Sequence, residues 1–375
     1  MKLETLNASC CGRLEELPAG VGRMEKLREL LINDTAIREI PMSKWGLKEL
    51  HTLNVSGCRS LEELPIGVEG LEKLRELLIN DTAIRKIPIG RHGFRELKTM
   101  CASYCEELAQ LPIPSRSLWL LTKLDLSHSG IEEFPEGIVN LRSLTQLDLS
   151  YSWVEKLPRS FKSLVYLSQL NLSHSGIREF PNFEGYMKWL THLDLSHTGI
   201  EELPKSMNSL KEVTHLNLSY LGIKRLPQSM EDLVSLQHLL LRGCYLLRHL
   251  LDSIERLTSL TKLDLQSTRI VELPPEMRNM KNLKILGHSL NKRNRALRVF
   301  KAKRRIETRR SYSAEFIRES AEFVFTQRLN LKIQTAMFQM AAEVPFNIPS
   351  ISARRSSGGS FGSWSKLMMR MLRWL

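Results

Sequence analysis

Apolar residues recur along this chain as L-x-x-L-x-L-x-x-[C/S/T], beginning at Leu3, Leu27, Leu50, Leu74, Leu97, Leu121, Leu144, Leu167, Leu190, Val213, Leu236, Leu260 and Leu283. Every spacing is 23 or 24 residues, giving twelve full units and a partial thirteenth. Apolar positions 4 and 6 alternate with polar positions 3, 5 and 7, the period of a half-buried strand. A second apolar pair and a proline follow, as in Ile37, Ile40, Pro41 or Ile200, Leu203, Pro204; the proline closes eleven of the twelve units and fails only at Leu251. Proline fixes φ and cannot donate to a ladder, so it marks a stop before an irregular or short-helical return segment. Units of fixed period that each contact only their neighbours build a solenoid with one parallel sheet. At about 4.8 Å between strands, twelve units predict an arc of about 55 Å.

The two spacings obey one rule. Where position 9 is cysteine (Cys11, Cys58, Cys105, Cys244), the next apolar residue comes three later and the unit has 24 residues. Where it is Thr or Ser (Thr35, Thr82, Ser129, Ser152, Ser175, Thr198, Thr268), the apolar residue comes two later and the unit has 23; Leu221 is the one exception. A small side chain able to bond to backbone suits the turn after each strand. EKLRELLINDTAIR occurs at Glu25 and again at Glu72, 47 residues on, as expected of an array that grew by copying pairs of units.

This is the leucine-rich-repeat pattern, which predicts a curved parallel β-sheet with an irregular or short-helical convex side over residues 1–287. Leucines at positions 1, 4 and 6 point inward, so strand alternation places positions 3, 5, 7 and 8 on the concave face. Position 8 reads Tyr104, His128, Tyr151, His174, His197, Tyr220 through six consecutive units. Position 5 beside it reads Asp125, Asp148, Asn171, Asp194, Asn217, and position 3 supplies His192, His215 and His238. Tyr and His rings offer contact area and a hydrogen-bond handle at small entropic cost, so these columns are the candidate partner-binding residues. A second reading stays open, in which the rings stack to stabilise the ladder.

Charge is uneven. Residues 288–375 hold 18 Lys and Arg against 5 Asp and Glu, which leaves 36 of each sign before them, so the net charge of +13 belongs to the tail. KRNRALRVFKAKRRIETRR, residues 292–310, holds ten basic residues; a solvated helix, nuclear import, or weak anionic-lipid or nucleic-acid contact all fit that composition. Residues 313–343 read as containing helix, and SSGGSFGS as linker-like. Trp364, Leu367, Met368, Met371 and Leu375 oppose Lys366, Arg370 and Arg373 in a short basic amphipathic helix, suited to a membrane surface or to capping the solenoid.

No stretch approaches the eighteen apolar residues of a transmembrane helix, and the N-terminus has no apolar signal-peptide core, so a cytosolic or nuclear location is expected. Six scattered cysteines read as reduced thiols. Cys101 and Cys105, at positions 5 and 9 of one unit, are expected to differ in burial. Three adjacent histidines invite a metal, but ladder residues stand parallel rather than closing a tetrahedron, so no metal and no cofactor is expected. Phosphate-loop, dinucleotide, zinc-protease and nucleophile-elbow motifs are absent from the sequence, which favours a non-catalytic binding module.

The units LRELLINDTAIREIP and LHTLNVSGCRSLEELP resemble the repeats of plant intracellular nucleotide-binding leucine-rich-repeat disease-resistance receptors, particularly the class with an N-terminal TIR domain. The resemblance covers residues 1 to about 290 and rests on the Cys/Thr alternation and the closing proline. It implies recognition of a pathogen effector, a guarded host protein or a nucleotide-binding receptor domain. The chain departs from that family in showing neither TIR nor nucleotide-binding module, so a partial member with an uncapped, apolar first coil is expected. Plant Ras-group leucine-rich-repeat scaffolds are also similar, but lean towards asparagine at position 9.

Overall fold

The computed structural model describes residues 3–42, 46–65, 67–90, 94–114, 117–133, 136–182 and 185–287. The predicted tail elements, over residues 292–310, 313–343 and 364–375, lie outside the described residues. Thirteen three-residue strands form one parallel sheet in strict chain order. They are β1 (Thr5–Asn7), β2 (Glu29–Leu31), β3 (Thr52–Asn54), β4 (Glu76–Leu78), β5 (Thr99–Cys101), β6 (Lys123–Asp125), β7 (Gln146–Asp148), β8 (Gln169–Asn171), β9 (His192–Asp194), β10 (His215–Asn217), β11 (His238–Leu240), β12 (Lys262–Asp264) and β13 (Lys284–Leu286).

Each strand is positions 3 to 5 of its unit, and the pairing aligns like positions, as in His192↔His215↔His238. Leu27, Leu30 and Ile32 are fully buried, and the corresponding positions 1, 4 and 6 repeat this inward triad along the array. Burying one such side chain contributes roughly 1.5–3 kcal/mol. The second apolar pair completes the same core, with Ile37 and Ile200 fully buried.

The return segments are short 3-10 helices of three to five residues, such as Arg159–Ser163, Lys205–Ser209 and Gln228–Asp232. Pro158, Pro204 and Pro227 stand at their entries in extended backbone, where the missing N–H costs nothing. A unit of 23 or 24 residues must turn back after one coil, and the tight i to i+3 bond of Leu164 N–H to the Phe161 carbonyl does this in little length.

Cysteine and Ser/Thr at position 9 bond to different units. Thr35, Thr82, Ser129, Ser152, Ser175 and Thr198 donate their hydroxyls to the position 6 carbonyl of their own unit, at 2.6 to 2.8 Å. A cysteine instead donates to the position 6 carbonyl of the preceding unit: Cys58 to Ile32, Cys105 to Ile79 and Cys244 to Leu218. Leu221 therefore has a compensation, because Cys244 supplies the Leu218 carbonyl with the side-chain donor that Leu221 lacks.

Cys101 and Cys105 differ in burial as positions 5 and 9 predict, with Cys105 fully buried in the core and Cys101 still 7% exposed. One expectation needs correction. The thirteenth unit is one residue out of the predicted register. Lys262 pairs with Lys284 and Leu263 with Ile285, so Ile285 rather than Leu286 takes position 4. Adjacent apolar residues in KILG satisfy either register, and backbone bonds to the single neighbour, Lys284 N–H to Thr261 and Leu265 N–H to Leu286, select one.

Candidate partner-binding face

Half of the candidate residues line one groove. Asp125, Asp148, Asp194, His192, His215 and His238 lie along a hollow of about 490 Å³ that spans β6 to β11. Its floor is the outward face of the strands, positions 3 and 5, with Gln146 and Gln169 in the position 3 column between Lys123 and the histidines. Those glutamines and Lys123 belong to the same position 3 column, and their place in it is legible from the repeat alone.

Position 5 is a structural device as well as a surface. Asp148 Oδ1 accepts from the Ser150 N–H at 2.8 Å and its hydroxyl at 2.6 Å, and Asp194 does the same for Ser196 at 2.9 and 2.6 Å. Asn171 and Asn217 repeat the bond to Ser173 and Ser219, while their amides donate across the ladder to the other oxygens of Asp148 and Asp194 at 2.9 Å. An Asp or Asn that bonds backbone two residues on closes a turn, so this column is demanded partly by the fold. Position 3 is not: Lys123, Gln146, Gln169 and His238 make no side-chain hydrogen bond among the described residues.

Positions 7 and 8 are not among the residues that line the groove, because the alternation on which their placement rested stops with the strand. The strand ends at position 5, and Ser150, Ser173, Ser196 and Ser219 at position 7 are buried under the Asp/Asn bonds just described. Position 8 adopts left-handed backbone throughout, with φ from 54° to 61° for His128, Tyr151, His174, His197, Tyr220 and Tyr104. The turn is held from outside, since each position 8 N–H donates to the position 7 carbonyl of the next unit, as from His174 to Ser196 at 2.9 Å. For a ring-bearing residue that backbone costs about 1–2 kcal/mol.

The same turn stacks the six rings face to face as one column beside the groove. Centroids are 4.2 Å apart for Tyr104–His128, 4.0 Å for His174–His197 and 4.1 Å for His197–Tyr220, with planes within 21°. Stacked pairs contribute about 0.5–1.5 kcal/mol each, which offsets part of the cost of the left-handed backbone. The column ends at Gly243, φ 70°, where a Cβ would stand 2.5 Å from the Tyr220 ring, so only glycine fits beneath it. Ladder stabilisation, left open by the sequence, is therefore a role these rings do fill.

Desolvation lowers the pKa of His174, His197 and His215 below the ordinary 6.5, with neighbouring histidines acting in the same direction. The unfolded chain then binds more protons between the folded values and 6.5, so stability rises with pH across that window. Denaturant midpoints are expected to fall as pH drops from above 6.5 through the folded pKa values, and a His174→Gln, His197→Gln, His215→Gln variant should flatten that slope. An unchanged slope would mean that these rings carry no linkage. Glu49 and Glu231, lowered chiefly by hydrogen bonds from Lys73 and Ser253, act only in the separate window below 4.5.

Burial pushes the Cys101 and Cys105 thiols up and the Cys244 thiol up to about 11, so all three are protonated thiols at neutral pH rather than thiolate nucleophiles. His192 and His215 stack at 4.3 Å instead of converging on a point, and among the described residues no group of three or more His, Cys, Asp or Glu side chains is placed to hold a metal. No described helix is long and apolar enough to cross a membrane.

Thirteen in-register strands, inward leucines and a free concave face define a leucine-rich-repeat solenoid, a class that presents an extended surface to protein partners. The leucine-rich-repeat family profile matches residues 120–177 and 188–246. Among solved structures, a leucine-rich-repeat protein of Leptospira interrogans is similar at TM-score 0.62 and 24% identity, over 76% of this chain and 80% of that one. The functional domain of InlJ from Listeria monocytogenes, which includes a cysteine ladder, is similar at TM-score 0.63 and 18% identity, over 76% and 58%. A chain of the Toll–Spatzle complex of Drosophila is similar at TM-score 0.60 and 18% identity, over 70% and 38%. At these identities the likeness is one of fold. A search of curated proteins finds no match.

Proposed function

We propose that residues 1–287 are the recognition module of a plant disease-resistance-type protein, which binds a pathogen effector, a guarded host protein or a receptor nucleotide-binding domain on its concave face during defence. The carrying observation is the position 3 row of the groove, whose hydrogen-bonding groups the fold leaves unused from Lys123 to Gln169 and at His238. Folding does not require those side chains, so they are available for recognition. The plant assignment rests on the Cys/Thr alternation and closing prolines, and the basic segment 288–375 is read as a separate tail in a cytosolic or nuclear protein.

Affinity capture from plant extract tests this with the full chain, a groove variant (Gln146→Ala, Gln169→Ala, His238→Ala) and a column variant (His174→Ala, His197→Ala, Tyr220→Ala). The groove variant is expected to lose its protein partner by about tenfold or more, while the column variant mainly loses stability. Capture that ignores the groove substitutions would sink the proposal.

A further inference from the structure

Position 3 changes character along the sheet. It carries Glu29 and Glu76 on β2 and β4, Lys123 on β6 and uncharged Gln146 and Gln169 on β7 and β8. From β9 to β13 it reads His192, His215, His238, Lys262, Lys284 in unbroken register. Strand spacing of about 4.8 Å makes this stripe about 19 Å long. Opposing charge is thin. The position 5 residues beside it are Asp194, Asn217, Leu240, Asp264 and Leu286, and both Asp194 oxygens are already held by Ser196 and Asn217. Lys262, Lys284 and the nearby exposed Arg242 enter no salt bridge among the described residues, although nine such bridges form elsewhere on the solenoid.

Local hydrogen bonding fixes which imidazole nitrogen is available. The Thr191 and Thr214 hydroxyls lie 2.9 Å from Nδ1 of His192 and His215, so Nδ1 is the engaged nitrogen in either tautomer. Nε2 is left over on both rings, which line the groove. When the ring is protonated, Nε2 becomes a charged donor, the stronger kind of hydrogen bond to a carboxylate.

We propose that the β9–β13 stripe is a docking site for an acidic, extended protein segment, and that binding tightens as the histidines protonate. This rests on the concave-face reading and supplies the chemistry of the partner. An extended chain advances about 3.4 Å per residue, so about six residues cover the stripe and carry carboxylates on alternate positions towards it. Charged and titratable groups facing His215 are His192 and Asp194 on β9, His238 on β11, and Lys262 and Asp264 on β12. Desolvation first, and then His192, His238 and Lys262, disfavour the charged form of His215, so it resists protonation until an acidic partner arrives. Affinity and proton uptake are thus coupled.

The test is fluorescence anisotropy of a labelled alternating Glu-Gly peptide with the full chain, at about pH 5.5 and about pH 7.5 on either side of the histidine range. An alternating Lys-Gly peptide is the control. Binding of the Glu-Gly peptide is expected to be about tenfold tighter at the lower pH. A His215→Gln, His238→Gln, Lys262→Gln variant should lose about tenfold there and lose the pH dependence. A Lys303→Gln, Arg304→Gln, Arg305→Gln variant reports what the basic tail contributes and should keep the pH dependence. The inference is overturned if the Glu-Gly peptide fails to bind, or if the stripe variant binds as the parent does. Partner capture lost in the Gln146, Gln169, His238 variant alongside an indifferent Glu-Gly peptide would defeat only the acidic-segment inference. Capture that ignores the groove alongside stripe-dependent peptide binding would defeat the recognition reading instead.

Discussion

Replacing Phe161 by alanine is expected to lower the unfolding free energy by about 3–5 kcal/mol, the cost of deleting a buried aromatic ring and leaving a cavity. Phe161 is 1% exposed and sits inside the 3-10 turn Arg159–Ser163, just after Pro158. The corresponding place in other units holds Val21, Val68, Ile138, Met207, Met230, Ile254 or Met277, all buried. A ring there is thus the bulkiest filling of a site that elsewhere accepts aliphatic side chains. Phe161→Met, which conserves most of that volume, should cost less than about 1.5 kcal/mol. Since each unit contacts only its neighbours, the loss stays local and amide protection should fall first around β7 and β8. Urea unfolding of the two variants decides the matter. A Phe161→Ala change within about 1 kcal/mol of the parent would mean that the coil collapses onto the space and that packing there is loose.

Cys244→Ala should destabilise more than Cys58→Ala, although both delete a buried thiol at the same position. Cys58 shares the Ile32 carbonyl with Thr35, at 3.1 and 2.8 Å, so its removal leaves that acceptor a side-chain donor. Cys244 reaches the Leu218 carbonyl at 3.0 Å, and Leu221 offers no replacement. An orphaned buried acceptor costs about 1–3 kcal/mol, which is the expected difference between the two variants. Leu221→Thr in the Cys244→Ala background should recover part of it, since Thr35, Thr82 and Thr198 hold their own carbonyls at 2.8 Å. Equal losses for Cys58→Ala and Cys244→Ala, with no recovery from Leu221→Thr, would show that the Cys244 bond does not compensate for Leu221.

The candidate site was legible as columns of residues, and its geometry only where those columns belong to the strand. Asp125, Asp148, Asp194, His192, His215 and His238 fall on the groove because positions 3 and 5 belong to the strand, where side-chain direction follows from alternation. Tyr104, His128, Tyr151, His174, His197 and Tyr220 fall outside it because position 8 lies beyond the strand, in left-handed backbone. That conformation depends on a bond to the next unit, 22 or 23 residues away, and local pattern carries no sign of it. The cationic stripe could have been found by reading position 3 past His238 to Lys262.

The sequence by itself determined the period, the inward leucines, the closing prolines and the number of strands, because each follows from side-chain volume, polarity or backbone restriction within one unit. The tertiary structure alone decided what depends on two units at once. It set which carbonyl a cysteine reaches, whether Ile285 or Leu286 faces the core, and that Asp148 and Asp194 close turns as well as line a groove. It also turned six rings into a stacked column beside that groove and left the histidine Nε2 atoms available within it. Each of these is chosen by hydrogen bonds across the stack, whose partners lie a full coil apart in sequence and about 5 Å apart in space.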